Sequence, residues 1–146
     1  MYEILILLTV LGMGTIFGIA LTATVVVHPL LLQVKSTTAI EVFKPFFDRT
    51  HKSVLVLSIV VSLTALGASL LSGEWSWFII SLIMHLNGPY TIFAMMPLNH
   101  RLMADEVDPN SEETLSDLHR WGKLHAVRTV LNGIVFILFL LNIIYR

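Results

Sequence analysis

No cysteine occurs anywhere in the 146 residues. Disulfides, thiolate metal sites and thiol nucleophiles are therefore all excluded. Charge is scarce too: only 13% of the residues are charged, about half the ~25% usual in a soluble domain. The formal net charge of -1 supplies no basic field, which removes nucleic acid as a partner. What the chain does hold is apolar, with 55% hydrophobic residues and a mean hydropathy of +0.81. A soluble core of this size could not hide so much apolar surface. Long uninterrupted apolar runs point instead to an all-α integral membrane protein, a four-helix bundle forming one transmembrane domain over residues 1–146.

Four spans emerge, at about 4–27, 53–71, 75–96 and 124–144. About 20 residues at a rise of ~1.5 Å cross the ~30 Å hydrocarbon layer, so each is long enough. The first is too long for a signal-peptide core and no basic residue precedes it, so it reads as a retained span. Ser72-Gly73-Glu74 is a tight hairpin that makes the second and third spans antiparallel neighbours. The other two connections are long and polar, and both lie at the opposite end. They carry Lys35, Lys44, Arg49, Lys52, Arg101, Arg120 and Lys123, whereas the hairpin end has only Arg146 and the amino terminus. Excess basic residues mark the cytoplasmic side. The expectation is an inner or plasma membrane protein with cytoplasmic long loops and both termini extracytoplasmic.

Those loops carry helical patterns of their own. Thr38 and Glu41 make a capping-box pair ahead of Ile40, Val42, Phe43, Phe46 and Phe47. This predicts a short interfacial helix bent at Pro45. In the second loop, Asp108-Pro109-Asn110-Ser111 ends one element and Glu112-Glu113 opens another. Acidic residues in a first turn favour helix initiation. That helix, with Leu115, Leu118 and Trp121 inward, is expected to run into the fourth span. In the first span Gly14 and Gly18 form a small-xxx-small pattern suited to close helix packing, within the bundle or against a second copy. Ser58, Ser62 and Ser69 fit the same account, bonding to their own helix or across to a neighbour.

Candidate chemistry clusters at the loop end. Trp121, His125, Arg128, Thr129 and Asn132 form one helical stripe on the fourth span. Arg128 inside the bilayer costs ~2.5 kcal/mol or more unless it faces protein or water. The stripe is therefore expected to point inward; the plainer account has Arg128 snorkelling to headgroups. Met96-Pro97-Leu98-Asn99 reads as the end of the third span, with Asn99 level with His125 and able to orient it or hold a substrate oxygen. His28, His51 and His125 reach one bilayer depth, where three imidazoles could bind a transition metal or share acid–base work. His85 lies ~15 Å into the third span, near the midplane. It is either a satisfied core histidine, a proton relay or a haem b ligand. Asn87 and Asn132 come to similar depth, and they or His85 are expected to face each other across the third and fourth spans.

Pro97-Leu98-Asn99, Leu102, Trp121, His125, Arg128 and Thr129, with a glycine-rich first span ending at Pro29, resemble the signature of small four-helix membrane proteins of the anthrone oxygenase-like group. The resemblance covers most of the chain, its specific part being about nine residues. It implies oxidation of an anthrone-like phenolic substrate with molecular oxygen and no assigned cofactor. His125 and Asn99 would then be site residues, with Arg128 a partner for an anionic oxygen. His28 and His51 lie outside that signature.

The residues support two functional readings. In one, the chain is a membrane oxidoreductase whose hydrophobic substrate enters from the lipid or cytoplasmic side, between the first, third and fourth spans. His125, Arg128 and Asn99 would be catalytic, and Trp121, Thr129, Asn132 and His85 would bind substrate. In the other, it is a non-enzymatic accessory subunit, or a haem-, quinone- or lipid-binding protein, within a larger membrane complex.

Overall fold

The computed structural model describes residues 1–145; Arg146 lies outside them. Four helices are long and apolar enough to cross a membrane: Tyr2–Leu31, Ser36–Ser72, Ser76–Met103 and Glu112–Ile144. Each packs against its neighbours in chain order, and the fourth closes onto the first. Gly73 makes the hairpin turn at φ +78, a conformation that costs glycine little, and its N–H caps the second span on the Ser69 carbonyl at 2.8 Å. The Tyr2 hydroxyl donates to Glu74 Oε2 at 3.0 Å, which fixes the amino end beside the hairpin.

Two apolar clusters fill the bundle. At the hairpin end Ile6, Met13, Ile16, Val61, Ala65, Ala68, Trp77, Met84, Val135 and Phe139 are buried together. At the loop end Ala23, Leu31, Ala39, Ile40, Phe43, Met95, Leu98, Leu102, Leu118 and Trp121 form the second cluster. The first and fourth spans interlock reciprocally, with Gly14 against the Phe136 ring and Gly133 against Phe17. The two rings stack at 6.0 Å. Gly18, the other half of the expected small-residue pair, has no atom close to where a Cβ would sit. The serines behave as expected. Ser58 and Ser62 bond carbonyls of their own helix, and Ser69 accepts from the Phe78 N–H across the hairpin.

The loop end departs from the sequence expectation. No separate interfacial helix precedes the second span, because one helix runs unbroken from Ser36 to Ser72 with Pro45 inside it. Thr38 therefore sits within the first turn, and Lys35 occupies the cap position with no side-chain bond. Glu41, whose carbonyl loses its donor to Pro45, and Pro45 itself are both exposed, so water can replace the missing bond. Ala39, Ile40 and Phe43 pack inward and hold the extension in place, while Val42 faces out. The fourth helix does run on from Glu112 as expected, capped by Ser111 Oγ accepting from the Thr114 N–H. Leu118 and Trp121 are buried but Leu115 is 39% exposed.

Prolines shape the other two spans. The third does not end at Pro97; it continues to Met103. Instead it breaks at His85 and Leu86, where the Gly88 N–H takes the His85 carbonyl at 2.9 Å, a bond that Pro89 cannot supply. Ahead of Pro97 the helix widens into a π turn over Thr91–Met95, the Met96 N–H reaching back to Thr91. The first span does the same over Ala23–Val27, just ahead of His28-Pro29. A proline ring crowds the carbonyl four residues back, and a wider turn moves that carbonyl away.

Candidate functional site

Between the two apolar clusters lies a polar layer assembled from all four spans. His125, on the fourth, is buried and stacks on Trp121, ring centroids 4.6 Å apart. Its Nδ1 is 2.9 Å from Thr24 Oγ1, which is itself 2.7 Å from Thr129 Oγ1. Thr129 in turn donates to the Ala20 carbonyl at 3.0 Å. Thr24 projects from the π turn of the first span. The distortion ahead of Pro29 and the orientation of His125 thus share one place in the fold.

Trp121 is held on every side. Phe43 meets it edge-on at 5.3 Å, and the His28 ring lies 6.0 Å away. Its Nε1–H donates to Asn99 Oδ1 at 3.1 Å. Asn99 is buried as expected, but it holds the tryptophan and does not bond His125; its Nδ2 has no partner among the described residues. His28 Nε2 donates to the Leu118 carbonyl at 3.0 Å, and the imidazole occupies the space above Gly122 that a Cβ would fill.

Two adjoining cavities meet at this layer. The smaller, about 30 Å³, is walled by Ala20, Ala23, Phe46, Phe47, Thr50, Trp121 and His125. The larger, about 260 Å³, is lined by Met84, His85, Asn87, Gly88, Thr91, Ile92 and Met96 from the third span and Leu55 and Ser58 from the second. Ile16, His51, Val54, Arg128 and Asn132 border both. Asn87 Nδ2 donates to Asn132 Oδ1 at 3.0 Å, joining the third and fourth spans at the depth expected from the sequence. The Tyr90 hydroxyl adds a second tie, to the Leu124 carbonyl at 3.0 Å. Arg128 has no carboxylate partner among the described residues, and its Nε is buried with no hydrogen bond.

The histidines divide. The ligand set His28, His51 and His125 is not gathered: among the described residues no three His, Cys, Asp or Glu side chains lie close enough to hold a metal ion. His28 is spent on a backbone carbonyl and His125 on Thr24, while His51, exposed at the edge of both cavities, stacks on Phe47 at 5.8 Å. His85 is not buried between the third and fourth spans. It is exposed and bonded through Nε2 to Ser62 Oγ at 2.8 Å, on the side of the second span. His100 is exposed.

Thr24, Thr91 and Gly122, like Thr50 and Tyr90, lie outside the sequence expectation. Thr24 precedes His28 by one helical turn, and Gly122 comes directly after the tryptophan. Both hints are weak without the packing that explains them.

A four-helix protein with an arginine and a stacked histidine at its waist is the class this fold and site define. The model of the anthrone oxygenase family matches residues 43–138, well over half of the chain. The chain belongs to that family. The match contains Asn99, Trp121, His125, Arg128, Thr129 and Asn132, whereas Thr24 and His28 lie ahead of it. No curated protein and no solved structure matches.

Proposed function

We propose that the protein is a membrane-embedded oxygenase-like oxidoreductase acting on a small hydrophobic substrate with an acidic phenol or benzylic hydrogen. One observation carries this reading. Arg128, a cation without a carboxylate partner among the described residues, borders both cavities, and His125 walls one of them. A guanidinium stays charged and is a ready partner for an oxyanion formed on the substrate.

The hydrogen-bond chain behind His125 supports its role as a base. The chain ends on the Ala20 carbonyl, which can only accept. Thr129 therefore gives its proton to that carbonyl, Thr24 gives its own to Thr129, and His125 Nδ1–H donates to Thr24. The second ring nitrogen, Nε2, keeps its lone pair and has no hydrogen bond within the described residues. In that tautomer it can take a proton from substrate. Asn99 acts through Trp121, whose stacking holds the imidazole plane.

The chemistry closes without an outside electron donor. Proton removal leaves a delocalised carbanion whose charge rests on an oxygen beside Arg128. Dioxygen takes electrons from that carbanion and adds to the carbon as a hydroperoxide. Loss of water then gives the ketone. A CH₂ has become C=O, one oxygen atom is retained, and the other leaves as water.

The protein lies in an inner or plasma membrane with its loop end cytoplasmic. Support comes from the basic residues gathered at that end.

Oxidation of anthrone in proteoliposomes under ¹⁸O₂ tests the reading. One label should appear in the anthraquinone. A positioned base contributes about 10²–10⁴-fold, so His125→Ala should lose about that much turnover while its helical circular dichroism persists. Wild-type turnover in that variant would remove His125 as the base.

A further inference from the structure

The mouth of the larger cavity opens sideways. His51 and Leu55 on the second span, and His85, Gly88 and Ile92 on the third, line the cleft and are exposed. All five lie in helices apolar enough to cross a membrane. The third span breaks at His85 and Leu86, at the edge of this opening. Its first piece, Ser76–Met84, packs on both the second and the fourth spans. The piece after the break is tied to the fourth through Asn87–Asn132 and Tyr90–Leu124. The two spans part below the break, where hydrocarbon would surround them. The sequence expectation of access between the first, third and fourth spans is not what this geometry offers.

Inside the cleft, no carboxylate among the described residues answers the charge. The ten acidic residues are Glu3, Glu41, Asp48, Glu74, Asp105, Glu106, Asp108, Glu112, Glu113 and Asp117. None falls in the apolar body of any span. Asp117 is the nearest along the fourth helix, ~16 Å from Arg128 by helical rise, and both of its oxygens are taken by Arg101 at 2.7 Å. An anionic partner for Arg128 must come from a ligand; water can only solvate it. At about 260 Å³ the cleft is below the ~300–1,000 Å³ of pockets that enclose a drug-sized ligand. It can take a head of a ring or two, and anything larger must stay outside, against Leu55 and Ile92.

We propose that this cleft is a bilayer-facing binding site for a membrane-dissolved amphiphile with one acidic oxygen, its head against Arg128 and its apolar body in the lipid between the second and third spans. The inference deepens the proposed function by naming the substrate class and its route. It rests on that reading for Arg128 as the anchor, but its test is binding.

The full chain in phosphatidylcholine nanodiscs is titrated with two radiolabelled pairs, 4-nonylphenol with its methyl ether and oleate with methyl oleate. At least one acid should bind ten-fold or more tighter than its methylated partner. The pair that does so identifies the source as phenol or fatty acid. Arg128→Gln should bring that ratio to about one, while Arg128→Lys, which keeps the charge, should preserve most of it. Gly88 lines the mouth and has no atom near the position of a Cβ, so a side chain can start there in open space, and Gly88→Trp should weaken acid and methylated forms together. Equal binding within both pairs in the wild type would overturn the proposal, as would unchanged binding in Gly88→Trp. If the acid preference holds in a protein that never oxidises anthrone, the oxygenase reading fails and this one stands.

Discussion

The two ends of the bundle are made from the same four helices by different means. The hairpin end is held by apolar packing, with rings set against glycines and Trp77 stacked on Phe139 at 6.1 Å. Its few polar contacts are local ties such as Thr9 to Thr64 at 2.8 Å. The loop end is organised around one indole touched by Phe43, His28, His125 and Asn99. Helix extensions reach past the spans there, and the Arg101–Asp117 pair and the Lys44 bond to the Ala104 carbonyl tie them together. The difference teaches that one end supplies cohesion and the other orientation. The polar layer sits where the two meet.

Substitutions can break that comparison. Trp77→Ala, in the hairpin end, should have the largest effect on stability. Removing a buried indole costs about 3–5 kcal/mol, visible as a lower melting temperature in detergent, while the acid preference of the cleft persists. Loss of both together would show that the ends are not separable. Gly122→Ala comes next. The new methyl meets the His28 imidazole, so the first and fourth spans must part or His28 must give up the Leu118 carbonyl. Overpacking of this kind costs about 1–3 kcal/mol, and the same melt should report it. Thr24→Val is the smallest in stability, about 1 kcal/mol for a lost hydrogen bond, yet it should be large in function. The His125 tautomer loses its acceptor, and turnover should fall at least ten-fold. Thr24→Ser, which keeps the hydroxyl, should restore it. Nitrogen-15 spectra of labelled histidine should show Nδ1–H in the wild type and a tautomer mixture in the valine variant; identical spectra would detach Thr24 from His125.

The spans were legible because twenty apolar residues in a row have few other uses. Their lengths were not, since the loop-end extensions are amphipathic and Pro45 reads as a bend in a separate surface helix unless its exposed face is known. The stripe from Trp121 to Asn132 was legible because helical periodicity alone puts those residues on one side. Depth arithmetic also found the Asn87–Asn132 pair. It failed for His85, because a break in the helix changes the direction in which nearby side chains point, and depth carries no azimuth. Asn99 was found buried at the right level but with the wrong partner. Thr24 was missed for a simple reason: a threonine in an apolar helix usually bonds its own backbone, as Thr15 does to the Leu11 carbonyl.

The widened turns ahead of Pro29 and Pro97 have a consequence for phase. A turn closed over five residues holds one more residue than its neighbours, and one residue is worth about 100° of rotation. Each of these helices therefore presents one azimuth to the hairpin end and another, independently set, to the loop end. Two rods thereby act as four, and the tight packing of one end need not dictate which side chains the other turns toward its cleft.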